Sequence, residues 1–125
     1  MLKLFPSTKK KRMFRYRSVA RKLFKQKWGL TQLVQDHHVI PQQFRKHPLI
    51  RHQIHSPQNL IMMPTPLGIQ KLRLRENRLV HWGPHPKYND FVANELELLN
   101  TQEDVDDLLE YLKWELRFRD VIPWN

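Results

Sequence analysis

The sequence predicts a small α+β domain. Apolar residues at helical spacing run through a basic segment near the start and a leucine-rich segment near the end, and between them lie short apolar runs stopped by prolines. At 125 residues the chain is expected to form one domain with an extension. The expected division is a basic N-terminal arm and helix over 1–30, a core over 31–100 and a C-terminal packing helix over 101–125.

The first element is basic. Residues 1–28 hold eleven Lys or Arg and no acid, while residues 90–125 hold ten of the twelve acids, within a net charge of +10. The two ends attract one another on one reading. On the other, the basic arm binds a polyanion, because Lys and Arg on phosphates release counterions and give sequence-independent affinity. Charge by itself also suits an anionic membrane surface or heparin. Tyr16, Ala20, Leu23, Phe24 and Trp28 fall at helical spacing, which predicts a helix over about 13–27 that packs this stripe and ends at Gly29. Lys9-Lys10-Lys11-Arg12 has the composition of a nuclear import signal and equally of a phosphate-contacting run.

Strand candidates follow. Val39-Ile40 stops at Pro41, Leu60–Met63 stops at Pro64, and Leu79-Val80 leads into His81. Proline cannot donate to a sheet, so each strand must be short. Lys71, Arg73, Arg75 and Arg78 alternate with Leu72, Leu74 and Leu79, which predicts a strand or helix with one wet basic face.

Two helices close the chain. Pro84 and Pro86 suit the first turn of one, and Tyr88, Phe91, Val92, Leu96 and Leu99 give its apolar face. The other starts with Thr101 or Asn100 as cap and Glu103 or Asp104 in the first turn. Val105, Leu108, Leu109, Leu112 and Leu116 form its stripe, and Arg117 and Arg119 complement its dipole at the last turn.

With no cysteine, the chain makes no disulfide, thiolate metal site or cysteine nucleophile, which fits an intracellular protein of cytoplasm or nucleus. Met1–Phe5 is too short for a secretory signal, and without a run of eighteen apolar residues no membrane-spanning helix is expected.

All seven histidines fall between residues 37 and 85. Neutral imidazole ligates transition metals and serves as a base near neutral pH. Three segments set the pattern: Asp36-His37-His38-Val39-Ile40-Pro41, then Pro57-Gln58-Asn59-Leu60-Ile61-Met62-Met63-Pro64, then His81-Trp82-Gly83-Pro84-His85-Pro86-Lys87-Tyr88-Asn89. Together and in this order they resemble the HNH/endonuclease VII superfamily, in the branch named for its Ala-His-His motif. The resemblance covers about residues 36–92 and leaves the basic arm and the C-terminal helix outside. Asp36 stands where the branch has alanine.

The resemblance implies a ββα-metal core, with a basic N-terminal helix and a C-terminal helix added. It implies a metal-dependent endonuclease that hydrolyses phosphodiester bonds, of DNA sooner than RNA. By motif position His38 resembles the general base, His37, His81 and His85 the ligands of one divalent ion (Mg, Mn, Zn or Ni), and Asn59 the residue that orients the base or its strand. Where such an enzyme is a toxin, an inhibitor or immunity protein is its partner.

Asp36, Tyr88 and Asn89 are accessory candidates: Asp36 as a metal or hydrogen-bond ligand, Tyr88 and Asn89 as phosphate or metal contacts or as ordinary helix residues. His47, His52 and His55 are expected at the surface or in a substrate groove, and Trp82 in packing. The candidate nucleic-acid contacts are Lys9, Lys10, Lys11, Arg12, Arg15, Arg17, Arg21, Lys22, Arg73, Arg75 and Lys87. The competing expectations are an inactive nucleic-acid-binding protein and a structural zinc module on the same scaffold. Neighbouring strand residues point to opposite faces, so His37 and His38 can share one site only through a twist or bulge at the strand end.

Overall fold

The computed structural model describes residues 14–75, 78–80, 83–119 and 122–124. His81, Trp82, Lys9, Lys10, Lys11 and Arg12 lie outside the described residues. The result is a small α+β fold in which a two-stranded antiparallel sheet is surrounded by helices.

Helix α1 spans Val19–Lys27. Ser18 caps it by accepting from the Arg21 N–H at 3.2 Å, and Gly29, at φ 65°, follows its end as the sequence predicts. It starts later than residue 13, because Arg17 sits at φ 62°, outside helical geometry. Its expected packing stripe is a correction. The helix buries none of its residues, and Leu23, Phe24 and Trp28 stand exposed. It is tied down by charge instead, through Asp36.

Strand β1 (Val34–His38) pairs with β2 (Leu60–Pro64), residue for residue from Val34↔Pro64 to His38↔Leu60. Val39-Ile40, expected within a strand, lie just beyond it. Asn59 takes over their backbone hydrogen bonding, with its carbonyl accepting from Val39 N–H and its side chain from Ile40 N–H, both at 2.8 Å. Leu79-Val80 do not form a strand either. The Val80 carbonyl accepts instead from the Trp124 indole N–H at 3.3 Å.

Thr65 caps helix α2 (Pro66–Lys71). Gly68 there packs so closely on the turn before β1 that a Cβ would stand 1.9 Å from the Leu33 carbonyl oxygen. The basic alternation after Lys71 is neither one strand nor one helix, since Arg73 turns the chain at φ 55°.

Helix α3 (Pro86–Leu96) carries Pro86 in its first turn and buries Tyr88, Val92 and Leu96. Helix α4 (Gln102–Trp114) opens on a capping box between Thr101 and Asp104, as the sequence predicts. It buries Val105, Leu108, Leu109 and Leu112, and a π-helical turn over Glu115–Arg119 continues it. Arg75 and Arg78 donate to the Arg117 carbonyl within that turn, at 3.1 and 2.7 Å. Ile61 and Met63 of β2 meet these helices in one core with Val39, Ile40, Ile50 and Ile54. Among the described residues no helix is long and apolar enough to cross a membrane.

Candidate active site

Strand geometry separates the two adjacent histidines. The register runs without a bulge to His38↔Leu60, so their rings leave β1 on opposite sides and enter different neighbourhoods. The bulge that would bring both to one side does not occur.

The His37 ring faces the start of α3. Its centroid lies 5.9 Å from His85, 5.5 Å from Tyr88 and 5.3 Å from Trp124. His85 immediately precedes α3 as its N-cap residue, so the Pro84–Pro86 turn that starts the helix also delivers the imidazole. Trp124 stacks on His85 with centroids 3.9 Å apart and planes inclined by 26°. The Tyr88 hydroxyl donates to the Val39 carbonyl, and burial pushes its phenol above the usual range. At neutral pH Tyr88 is therefore a neutral core aromatic that fixes the backbone beyond His38.

His38 enters a second cluster. Its Nε2 lies 3.0 Å from His55 Nδ1, and its Nδ1 lies 3.5 Å from Gln42 Nε2. The Tyr16 ring meets its edge at 4.4 Å and stacks on His55 at 5.6 Å. His37, His38 and His85 are all buried, at 6, 7 and 7 % exposure.

Asn59 is buried at 1 % exposure and holds the strand end. Its amide nitrogen donates to the Ile40 carbonyl at 3.0 Å and the Ile54 carbonyl at 2.8 Å, while its oxygen accepts from Ile40 N–H. It thus ties the chain just after His38 to the chain just before His55, through backbone rather than through either ring.

Asp36, a candidate metal or hydrogen-bond ligand, is engaged by α1. Arg21 donates to both of its oxygens, at 2.9 and 3.0 Å, and Lys25 adds a bond at 3.0 Å. Burial would raise the carboxyl pKa, but the hydrogen bonds and charges of Arg21 and Lys25 outweigh it and hold the group below its ordinary value. Arg21, expected among the phosphate contacts, is committed to Asp36 and to the Phe14 carbonyl. Arg75 is likewise engaged with the Arg117 carbonyl. Arg15, Arg17, Lys22, Arg73 and Lys87 are exposed. Tyr16, Arg17, Arg21, Lys22 and Lys25 line a groove of about 430 Å³ along α1.

Of the accessory candidates, Asn89 is half-buried and its N–H donates to the His85 carbonyl at 3.0 Å. His47 is half-buried and its Nδ1 accepts from Leu49 N–H, while His52 is exposed beside Arg51. The sequence reading missed Tyr16, Gln42 and Trp124 as neighbours of the histidines, and missed His55 as the partner of His38. Each contact joins segments far apart in the chain or crosses a turn, so no periodicity announces it.

Can these residues suit a metal? Two imidazoles on one tetrahedral ion, with metal–nitrogen bonds of about 2.1 Å, hold their ring centroids roughly 5.3 Å apart. His37 and His85, at 5.9 Å, stand slightly wider than that, and the donor chemistry suits a transition metal. Among the described residues no group of three His, Asp or Glu is placed to hold an ion, and His81 lies outside them.

Residues 20–116 match the family model AHH, described as a nuclease family of the HNH/ENDO VII superfamily with conserved AHH. The chain belongs to this family. Within this AHH protein the match runs wider than the motif-bearing residues 36–92. It takes in nearly all of α1 and the whole of α4, which the sequence reading had left outside. No curated protein and no solved structure matches the chain. Membership makes this a nuclease domain, and within it the Asp36 carboxylate anchors α1.

Proposed function

We propose that this AHH nuclease is a metal-dependent endonuclease that hydrolyses phosphodiester bonds, with His38 as general base and His37, His85 and His81 as ligands of one divalent ion. In this reading β1, β2 and α3 form the ββα-metal core. The observation that carries it is the meeting of His37 and His85, from a strand and a helix start remote in sequence, at a centroid distance of 5.9 Å.

The chain's own residues divide the work. His38 accepts the proton of the attacking water, since imidazole has the right strength near neutral pH. Asn59 fixes the strand end that carries it. Arg15, Arg17, Lys22, Arg73 and Lys87 hold the phosphates. When bound, the ion offsets the negative charge of the phosphate and of the leaving oxygen. An all-imidazole set favours Zn, Ni or Mn over Mg. DNA is put ahead of RNA by analogy with the superfamily.

The test is cleavage of plasmid DNA and of RNA by the purified protein with each ion in turn, beside His38→Ala. Loss of roughly 10²–10⁴ in rate in the variant is expected. Equal inertness of both proteins with every ion would sink the reading in favour of a binding or zinc-scaffold role, and equal activity would remove His38 from it.

A further inference from the structure

The histidine that sequence reading assigned to the surface or groove lies against the base. His55 Nδ1 stands 3.0 Å from His38 Nε2, and several contacts fix it there. Tyr16 stacks on its ring with planes inclined by 14°, Tyr16 N–H donates to its carbonyl at 2.9 Å, and Asn59 holds the neighbouring Ile54 carbonyl.

The other end of His38 agrees with one tautomer. Gln42 Nε2 lies 3.5 Å from His38 Nδ1, and with that amide N–H as the donor the lone pair is on Nδ1. A neutral ring then carries its proton on Nε2, which points at His55. We propose that His55 is a positioning residue for His38, accepting the Nε2–H at its own Nδ1 and so leaving Nδ1 as the basic nitrogen, where the attacking water displaces the long Gln42 contact. This rests on the reading of His38 as the base.

The step balances. A proton passes from water to His38 Nδ1, the hydroxide oxygen bonds to phosphorus, and the leaving oxygen departs with its electron pair. His38 becomes an imidazolium that keeps Nε2–H, and its bond to His55 turns from neutral to charge-assisted, hence stronger. His55 must stay neutral to accept. Burial first, then the charges of Arg15 and Arg17, lower its pKa and keep it so. A carboxylate commonly fills this orienting role; here a neutral ring does it, in a segment already crowded with cations.

Two substitutions separate chemistry from packing. In His55→Asn the side-chain oxygen takes the place of Nδ1 and still accepts. His55→Phe keeps a ring against Tyr16 but offers no acceptor. We expect His55→Phe to lower kcat roughly 10–100-fold with KM within about twofold, and His55→Asn to recover most of the loss. Nitrogen-15 NMR of the wild-type protein should show His38 as the Nε2–H tautomer. Wild-type kcat in His55→Phe, equal losses in both variants, or an Nδ1–H tautomer would overturn the inference. His38→Ala runs alongside: if it cleaves at the wild-type rate, the base assignment itself fails, whereas an inert His38→Ala beside an unaffected His55→Phe removes His55 alone.

Discussion

His37 and His85 face one another at a centroid distance of 5.9 Å with planes inclined by 75°, one ring from near the end of β1 and the other from the turn that starts α3. An ion shared by both would cross-link strand and helix. Substituting either residue by alanine should weaken Zn or Mn binding by at least about tenfold, or about 1.4 kcal/mol. Isothermal titration calorimetry measures it directly. Undiminished affinity in both variants would place the ion elsewhere.

Asn59→Ala should destabilise the fold without touching either imidazole. The variant leaves Ile40 N–H and the Ile40 and Ile54 carbonyls in a buried site without the partner they have now. A buried group stripped of its partner costs about 1–3 kcal/mol, so the total should exceed a single lost hydrogen bond. Urea denaturation would register it as a lower midpoint at unchanged slope.

Asp36→Asn should show its effect only above the acidic range. The folded-state pKa of Asp36 lies below the ordinary carboxylate value of 3.8, so its ion pairs contribute stability above that value, and the contribution disappears as pH falls through the folded pKa. The gap in Tm between wild type and variant should be open at about pH 7 and narrow as pH falls below the ordinary carboxylate value. Because α1 buries none of its residues, hydrogen exchange should rise first in Val19–Lys27. A gap that widened in acid would contradict the ion-pair account.

Gly68→Ala and Gly29→Ala should differ. An added Cβ at Gly68 meets the Leu33 carbonyl oxygen at 1.9 Å, a backbone atom that cannot rotate away, and overpacking of this kind costs about 1–3 kcal/mol or more. At Gly29 nothing lies within 4 Å, and the cost is limited to holding alanine at φ 65°. Thermal melts of both variants should rank them in that order.

Much was legible before any coordinates. The caps of α4 at Thr101 and Asp104, the proline that opens α3, the glycine after α1 and the apolar run Leu60–Met63 are local patterns, and local patterns reach into the sequence directly. The motif order from Asp36 to Asn89 carried the family. Less legible were features whose backbone partners come from elsewhere. Val39-Ile40 read as strand, yet their hydrogen bonds go to Asn59, and α1 read as an amphipathic helix, yet Asp36 holds it by charge.

The sequence by itself determined that this chain is an α+β nuclease domain rich in imidazole, because residue type and spacing along the chain are what a family pattern and a cap both record. Tertiary structure alone decided the pairing of the histidines: His37 with His85 and Trp124, His38 with His55 and Tyr16. Adjacent residues on a strand diverge to opposite faces, and what each face meets depends on how distant segments pack over it, which short-range order along the chain does not encode.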